Sequence, residues 1–263
     1  MKRTLIDGLP QELPEEILAF SLGARVYDSS CSREARVYYI ERGGGYYLKT
    51  SARGTLSGEA LMNAYFHKKG IGPEVLHYTS GEVGDILLTA RVAGEDCTHE
   101  SFLSMPERLC DRIATELRRL HELDFSDCPV KDRTGAYIDT VRNNYESGSY
   151  DTSHFPDSFG YRSAEEAIGV FREGERLLRR DTLIHGDYCL PNIMLNEDFS
   201  LSGFIDLGFG GVGDRHIDLF WGAWTLAFNL GTDKYRSRFF DAYGRDGFDM
   251  DMIKVIAAAE VFG

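Results

Sequence analysis

The chain has 263 residues, with 29 Lys and Arg against 42 Asp and Glu, for a formal net charge of −13. With 43% hydrophobic and 27% charged residues, 28 Gly and only 7 Pro, its composition is that of a folded globular protein and excludes collagen-like, coiled-coil and disordered classes. The acidic balance argues against a nucleic-acid surface, whose phosphates require clustered Lys and Arg, and favours cationic partners.

The five cysteines (Cys31, Cys97, Cys110, Cys128 and Cys189) are scattered and include no CxxC pair, so they indicate neither a zinc site nor a disulfide framework and fit free thiols in a reducing compartment. Asp7 interrupts the apolar pair Leu5-Ile6, leaving no signal-peptide core, and the longest uncharged apolar stretch, 219–231, is shorter than the roughly 20 residues that cross a bilayer. A cytoplasmic protein with no membrane partner is expected.

Segments 24–27, 35–41 and 46–50 are rich in Val, Tyr and Ile and predict strands, the last two joined by the turn Gly43-Gly44-Gly45. Residues 56–69 place Ala60, Met62 and Phe66 at helical spacing before Gly70 and Gly72-Pro73 stop the helix. Strands at 75–78 and 86–90 lead to a hinge at 90–94. Helices follow at 106–123, with Leu109, Ile113, Leu117 and Leu120 on one face, and at 164–180, with Ile168, Phe171 and Leu178. Between them, 143–162 is rich in Ser, Tyr, Asp and Gly, lacks apolar periodicity and predicts a loop. Short strands at 193–195 and 201–205 precede helices at 217–228, 235–243 and 252–261. The expected fold is α+β, with a small β-rich lobe over 1–91 and a larger, mostly helical lobe over 92–263.

The sharpest chemical signal is His185-Gly186-Asp187-Tyr188-Cys189-Leu190-Pro191-Asn192, followed by Gly203-Phe204-Ile205-Asp206-Leu207-Gly208. Phosphoryl transfer from ATP needs an acidic group to hold the attacking hydroxyl and oxygen ligands for the Mg²⁺ that bridges the phosphates. Kinase catalytic loops set an Asp five positions before an Asn, as Asp187 and Asn192 stand here, with a metal-binding Asp in a following Asp-x-Gly turn, as in Asp206-Leu207-Gly208. Asp187 is the candidate that orients the hydroxyl and accepts its proton; Asn192 and Asp206 are the candidate metal ligands.

These two segments resemble the catalytic and metal-binding loops of the aminoglycoside phosphotransferase family, most closely its 3'-phosphotransferases. Leu117-Arg118-Arg119-Leu120-His121 and Phe125-Ser126-Asp127-Cys128-Pro129 extend the similarity over nearly the whole chain. The resemblance implies a protein-kinase-like bilobal fold, ATP with Mg²⁺ as cofactor, and His185 as a structural residue of the catalytic loop. In the small lobe, Lys49 on the strand Tyr46-Tyr47-Leu48-Lys49 fits the lysine that grips the α and β phosphates, and Glu59 is placed to pair with it. No GxGxxG covers the phosphates from the small lobe; the segment Asp28-Ser29-Ser30-Cys31-Ser32-Arg33 lies between its first two strands instead, with Ser29 and Ser32 as candidate phosphate contacts. The adenine is expected against the backbone of Ala90 and Val92. Asp214 and Asp218, four apart at a helix start, read as a cap and a loop brace.

Aminoglycosides are polycations, so their recognition calls for carboxylates, and the candidates are Asp157 and Glu260. The family usually carries an Asp-Glu pair near the C-terminus; here Ala259-Glu260 keeps only the Glu, and Phe209, Trp224, Phe228 and Asn229 stand where charged residues are typical of the 3'-enzymes. Trp224 and Phe228, four apart on one helix face, read as core. The expected activity is transfer of the ATP γ-phosphate to an aminoglycoside hydroxyl, 3'-type, as a resistance function, by a monomer or weak dimer. The alternative is a kinase for another small hydroxylated substrate such as a different antibiotic, an amino sugar or a metabolite.

Overall fold

The computed structural model describes residues 3–31, 35–150 and 160–263. In chain order its elements begin with β1 (Thr4–Ile6), α1 (Glu15–Ser21), β2 (Arg25–Asp28), β3 (Ala35–Glu41), β4 (Tyr46–Ser51), α2 (Ser57–Lys68), β5 (Val75–Gly81), β6 (Gly84–Ala90) and β7 (Glu95–Asp96). They continue with α3 (Glu100–Leu103), α4 (Pro106–His121), α5 (Arg133–Ser147), α6 (Ala164–Gly174), β8 (Thr182–Ile184), β9 (Ile193–Leu195), β10 (Leu201–Phe204), β11 (Gly211–Gly213), α7 (Arg215–Leu230), α8 (Arg236–Tyr243) and α9 (Met250–Ala259). No helix among the described residues is long and apolar enough to cross a membrane.

Two compact units result: Met1–Cys97 with Pro191–Gly208, and Thr98–Leu190 with Phe209–Gly263. The first is built on a six-stranded antiparallel sheet in the order β1-β2-β3-β4-β6-β5. Period-two alternation decides what each face carries. Leu48, Ile86 and Leu88 join Ile17, Val26 and Ile40 in one core cluster under α1, whereas Leu87 turns to the other face and packs with Leu56 and Ala60 at the start of α2. Lys49, one residue past Leu48, therefore stands on the α2 face. The β9–β10 hairpin belongs to this unit and pairs with β7.

The second unit is helical apart from the pair β8–β11. Its core gathers Val141, Ile168, Phe171, Ile217, Phe220, Val255, Ile256 and Phe262 from α5, α6, α7 and the α9 region. A helix, α5, occupies the first part of the segment expected as loop. It is capped by Asp132, whose carboxylate accepts from Gly135 N at 2.6 Å, and closes at Gly148 with φ 71°. Val141 is buried and Tyr137, Ile138 and Tyr145 pack beside it on the core, an apolar stripe interrupted along the sequence by Thr, Gly and Asn residues that are weak helix formers. The helix expected over 164–180 ends earlier, at Gly174, and gives way to a 3₁₀ turn, Glu175–Leu177, whose Glu175 is held by the Arg142 guanidinium at 2.7 and 3.1 Å.

Candidate active site

On the α2 face of the first unit, Lys49 Nζ lies 2.7 Å from Glu59 Oε2 and 3.0 Å from Asp206 Oδ1. Burial alone would lower the ammonium pKa, but the Asp206 and Glu59 carboxylates outweigh it and hold it above its ordinary value, so Lys49 is a fixed cation. Burial lifts the Glu59 carboxyl, a shift the Lys49 charge opposes. Glu59 is aimed by the start of α2, where buried Asp85 accepts from Gly54 N and Leu56 N, both at 2.8 Å, tying the helix to β6. Among these hydrogen bonds the Asp85 carboxyl, which burial would raise, is held below its usual range.

Asp206 follows β10 with φ 58°, a left-handed conformation that costs a non-glycine residue energy and is characteristic of functional turns. Ile205 N donates to Asn192 O at 3.0 Å, so the open end of the β9–β10 hairpin carries both candidate metal ligands. Among the described residues no group of three or more His, Cys, Asp or Glu gathers as a metal site. Mg²⁺ is commonly held by one or two protein oxygens, with phosphate and water completing its octahedron, and the Asn192–Asp206 donor set fits that pattern.

Lys49, Glu59, Asn192 and Asp206 line one cavity of about 410 Å³ together with Ser29, Ala90 and Val92. The structure thus brings together seven of the residues singled out from sequence. Ser32 and Asp157 lie outside the described residues. The Ala90 amide donates to Glu74 O at 2.9 Å, so that N–H is already engaged within the sheet. Ser29 N donates to Val37 O at 2.8 Å, and the following turn is cinched by Ser30 N on Asp28 Oδ1 at 2.9 Å. Thr89, from the segment 88–92 expected against the adenine, also lines the cavity, as do Tyr47 and Asn63, which sequence reasoning missed. Tyr47 and Lys49 share a strand face at i, i+2, and Asn63 follows Glu59 at i+4 on α2. Both spacings were there to be read. Asn63 Oδ1 is buried without a hydrogen-bond partner among the described residues, and an occupant that donates a hydrogen bond satisfies it.

In the second unit, Asp187 sits on the loop after β8. Gly186, with φ 84°, lets this loop turn under Phe209: a Cβ there would lie 2.0 Å from Phe209 O. The brace is Asp218, fully buried on α7, whose carboxylate accepts from His185 N and Gly186 N at 2.7 Å each and meets His121 Nε2 at 3.1 Å. His121 Nδ1 lies 2.8 Å from the Tyr243 hydroxyl, and burial depresses the imidazole pKa against the pull of Asp218. Asp214 caps α7, accepting from His216 N at 2.8 Å and from Arg179 N at 2.6 Å. His185 Nδ1 accepts from Asp187 N at 3.3 Å, a packing role within the loop.

Asp187 and Glu260 line a second cavity of about 420 Å³, walled by Arg133, Tyr137, Phe209 and Trp221. Glu260 is 8% exposed and takes a hydrogen bond from Tyr137 Oη at 2.7 Å. Burial pushes its carboxyl up to about 7; the Tyr137 hydrogen bond works against this, the Asp187 charge adds to it, and the Trp221 indole N–H opposes it. Phe228 is 69% exposed and does not belong to the core as its spacing suggested, while Trp224 is partly buried against it.

The Lys–Glu pair on strand and helix, the Asn and Asp on one hairpin and the braced Asp loop are the parts of a protein-kinase-like fold. The description of the phosphotransferase enzyme family (APH) matches residues 32–254, and the chain belongs to that family. A probable aminoglycoside 3'-phosphotransferase of Lactococcus lactis subsp. lactis (strain IL1403) is 47% identical over 253 residues, 96% of this chain and 96% of its own. The solved structure of aminoglycoside phosphotransferase APH(3'')-Id from Streptomyces rimosus ATCC10970 superposes with a TM-score of 0.76 at 25% identity, covering 92% of this chain and 93% of that one. The same protein in complex with ADP and streptomycin gives 0.74 at 26% identity, over 86% and 90%.

Proposed function

We propose that the chain is an ATP- and Mg²⁺-dependent O-phosphotransferase that moves the γ-phosphate to a hydroxyl of an aminoglycoside, of the 3' type, and so confers resistance. The observation that carries the reading is the Lys49–Glu59–Asp206 cluster on the wall of the first cavity. The substrate class is supported by the 47% identical relative and by the ADP and streptomycin held by the structural neighbour.

In this reading Lys49 grips the α and β phosphates, and Glu59 keeps its ammonium in place. Ser29 supports the phosphates, while the Ala90 carbonyl and the Val92 backbone orient the base beside the Tyr47 ring. Asn192 and Asp206 hold Mg²⁺, which when bound neutralises charge on the phosphates. Asp187 orients the substrate hydroxyl and takes its proton as the oxygen–phosphorus bond forms and ADP departs. Ionised Glu260 pairs with a substrate ammonium. Residues 1–91 carry the nucleotide and 92–263 the catalytic base and substrate, except that the hairpin bearing Asn192 and Asp206 groups with the nucleotide unit. The demand for ATP and the free cysteines support a cytoplasmic location.

The cation Arg133 and the apolar walls Phe209 and Trp221 favour, as a second reading, a kinase for a less cationic hydroxylated substrate. ADP release with Mg-ATP across kanamycin- and neomycin-like drugs and unrelated hydroxylated amines, with Asp187→Ala as the blank, separates the two. Silence on every aminoglycoside with nucleotide still bound sinks the first.

A further inference from the structure

Asp187, Tyr188 and Cys189 form one tight turn. Cys189 N donates to Asp187 O at 2.8 Å, a three-residue closure that folds Cys189 back beside Asp187. Tyr188 at its centre is fully buried, and its hydroxyl donates to Ile113 O at 2.8 Å, so the turn is pinned to α4. The far end is clamped by buried Thr225 of α7, whose Oγ1 accepts from Leu190 N and from Asn229 Nδ2, both at 3.1 Å. The Cys189 thiol lies between these anchors: it donates to the Asp187 carboxylate and takes a hydrogen bond from the Thr225 hydroxyl. Burial first, then the Asp187 charge and hydrogen bond, push the thiol pKa far above its ordinary value against the pull of Thr225. The thiol therefore stays protonated and keeps its donor.

We propose that Cys189 is a positioning residue for the catalytic base: its S–H fixes the Asp187 carboxylate, and Thr225 fixes the S–H from α7. That Asp187 is a base rests on the function proposed above; the thiol–carboxylate contact does not. Asp187 lines the cavity that holds Glu260, whereas Cys189 is not part of that wall, so the thiol acts on the carboxylate and not on what fills the cavity. An ionised carboxylate offers about four lone-pair sites, and a donor on one of them sets the plane of the group while leaving acceptors for a substrate hydroxyl. Without that donor an Asp side chain turns about χ1 and χ2, and a misplacement of about 1 Å costs much of a catalytic group's effect. The weakness of S–H as a donor suits the task. A hydroxyl at the same place binds a carboxylate more tightly, stabilises its charge and makes it a poorer proton acceptor. Cys189 thus orients Asp187 with the gentlest donor that side chains supply.

Cys189→Ala removes the donor and little else. Its kcat in ADP release is expected to fall about ten- to a hundredfold, while the KM for the drug and the nucleotide affinity stay within about twofold of wild type. Cys189→Ser keeps a donor at the same place and is expected to recover kcat to within about threefold. A side chain that only fills space predicts otherwise, with Ser no better than Ala. Unchanged kcat in Cys189→Ala, or a Cys189→Ser variant as slow as Cys189→Ala, overturns the proposal. The contact also has a signature that needs no turnover, because donation weakens the S–H bond and lowers its infrared stretching frequency. The S–H band lost in Cys189→Ala is expected at higher frequency in Asp187→Ala, whose acceptor is gone, than in wild type. A band that moves in this way, in a protein that releases no ADP with any hydroxylated substrate, overturns the phosphotransferase reading and upholds the thiol–carboxylate contact. Turnover with an unmoved band overturns the positioning role alone.

Discussion

Glu260→Gln tests the electrostatics of the second cavity. The wild-type carboxyl is pushed up from an ordinary 4.5 to about 7 by burial, against the Tyr137 hydrogen bond and with help from Asp187. Its folded-state pKa is raised, so its contribution to stability is fully present below the unfolded value and is lost as pH rises through about 7. At about 1.36 kcal/mol per pH unit, the interval from 4.5 to about 7 corresponds to a loss of about 3 kcal/mol. Gln is neutral throughout and shows no such loss. Urea unfolding of both proteins at steps from about pH 5 to about pH 8 should show wild type losing stability relative to Glu260→Gln by most of that ~3 kcal/mol. Parallel curves would refute the burial argument.

Under the proposed function the same ionisation governs substrate binding. An ammonium beside Glu260 stabilises its carboxylate, so the wild-type KM for a cationic drug should fall as pH rises through about 7, a dependence absent from Glu260→Gln. Asp187→Asn removes one of the charges that raise Glu260 and should move the unfolding inflection to lower pH.

Asp187→Ala should abolish turnover, by at least about a thousandfold in kcat, while nucleotide affinity measured by calorimetry stays within a fewfold of wild type; retained turnover removes its assigned role. Asp206→Ala should erase the Mg²⁺ dependence of nucleotide affinity and free Lys49 from one of its two carboxylates; unchanged Mg²⁺ titrations contradict the ligand assignment. Asp218→Ala strips the acceptor from His185 N, Gly186 N and His121 and should cost about 3 kcal/mol or more in denaturant unfolding, with kcat falling more than KM changes. A stable variant of normal kcat would show that the Asp187 loop holds itself.

The first unit was largely legible because its signals are local and periodic. Alternation on β4 and β6 separates Leu48 and Leu88 from Lys49 and Leu87, and the Asp206-Leu207-Gly208 turn is fixed by loop geometry, as is the five-residue step that leads from Asp187 of the second unit to Asn192. Contacts made by capping and cross-element hydrogen bonds left no periodic trace. Asp85 anchors α2 from a residue on β6, and α5 carries its stripe of Tyr137, Ile138, Val141 and Tyr145 among Thr, Gly and Asn residues that favour turns. Tyr137, which sets the hydrogen bond on Glu260, went unread for the same reason, lying on that helix 123 positions away in sequence.

The substrate side was harder because α7 serves two purposes at once. Its inner residues Asp218 and Thr225 hold the catalytic segment, the first at the His185 and Gly186 amides and the second at Leu190 N, 3.1 Å away. Both needs, bracing a loop and burying a core, select the apolar spacing that sequence analysis reads as a buried helix. That spacing carries no information about whether the remaining stripe, Trp221, Trp224 and Phe228, faces protein or ligand, since an aromatic residue satisfies either surroundings. Only exposure separates the two, and at Phe228 it is 69%. A core-forming role would have kept that ring covered, so α7 is a helix whose buried face braces the Asp187 loop and whose last turn leaves Phe228 in solvent.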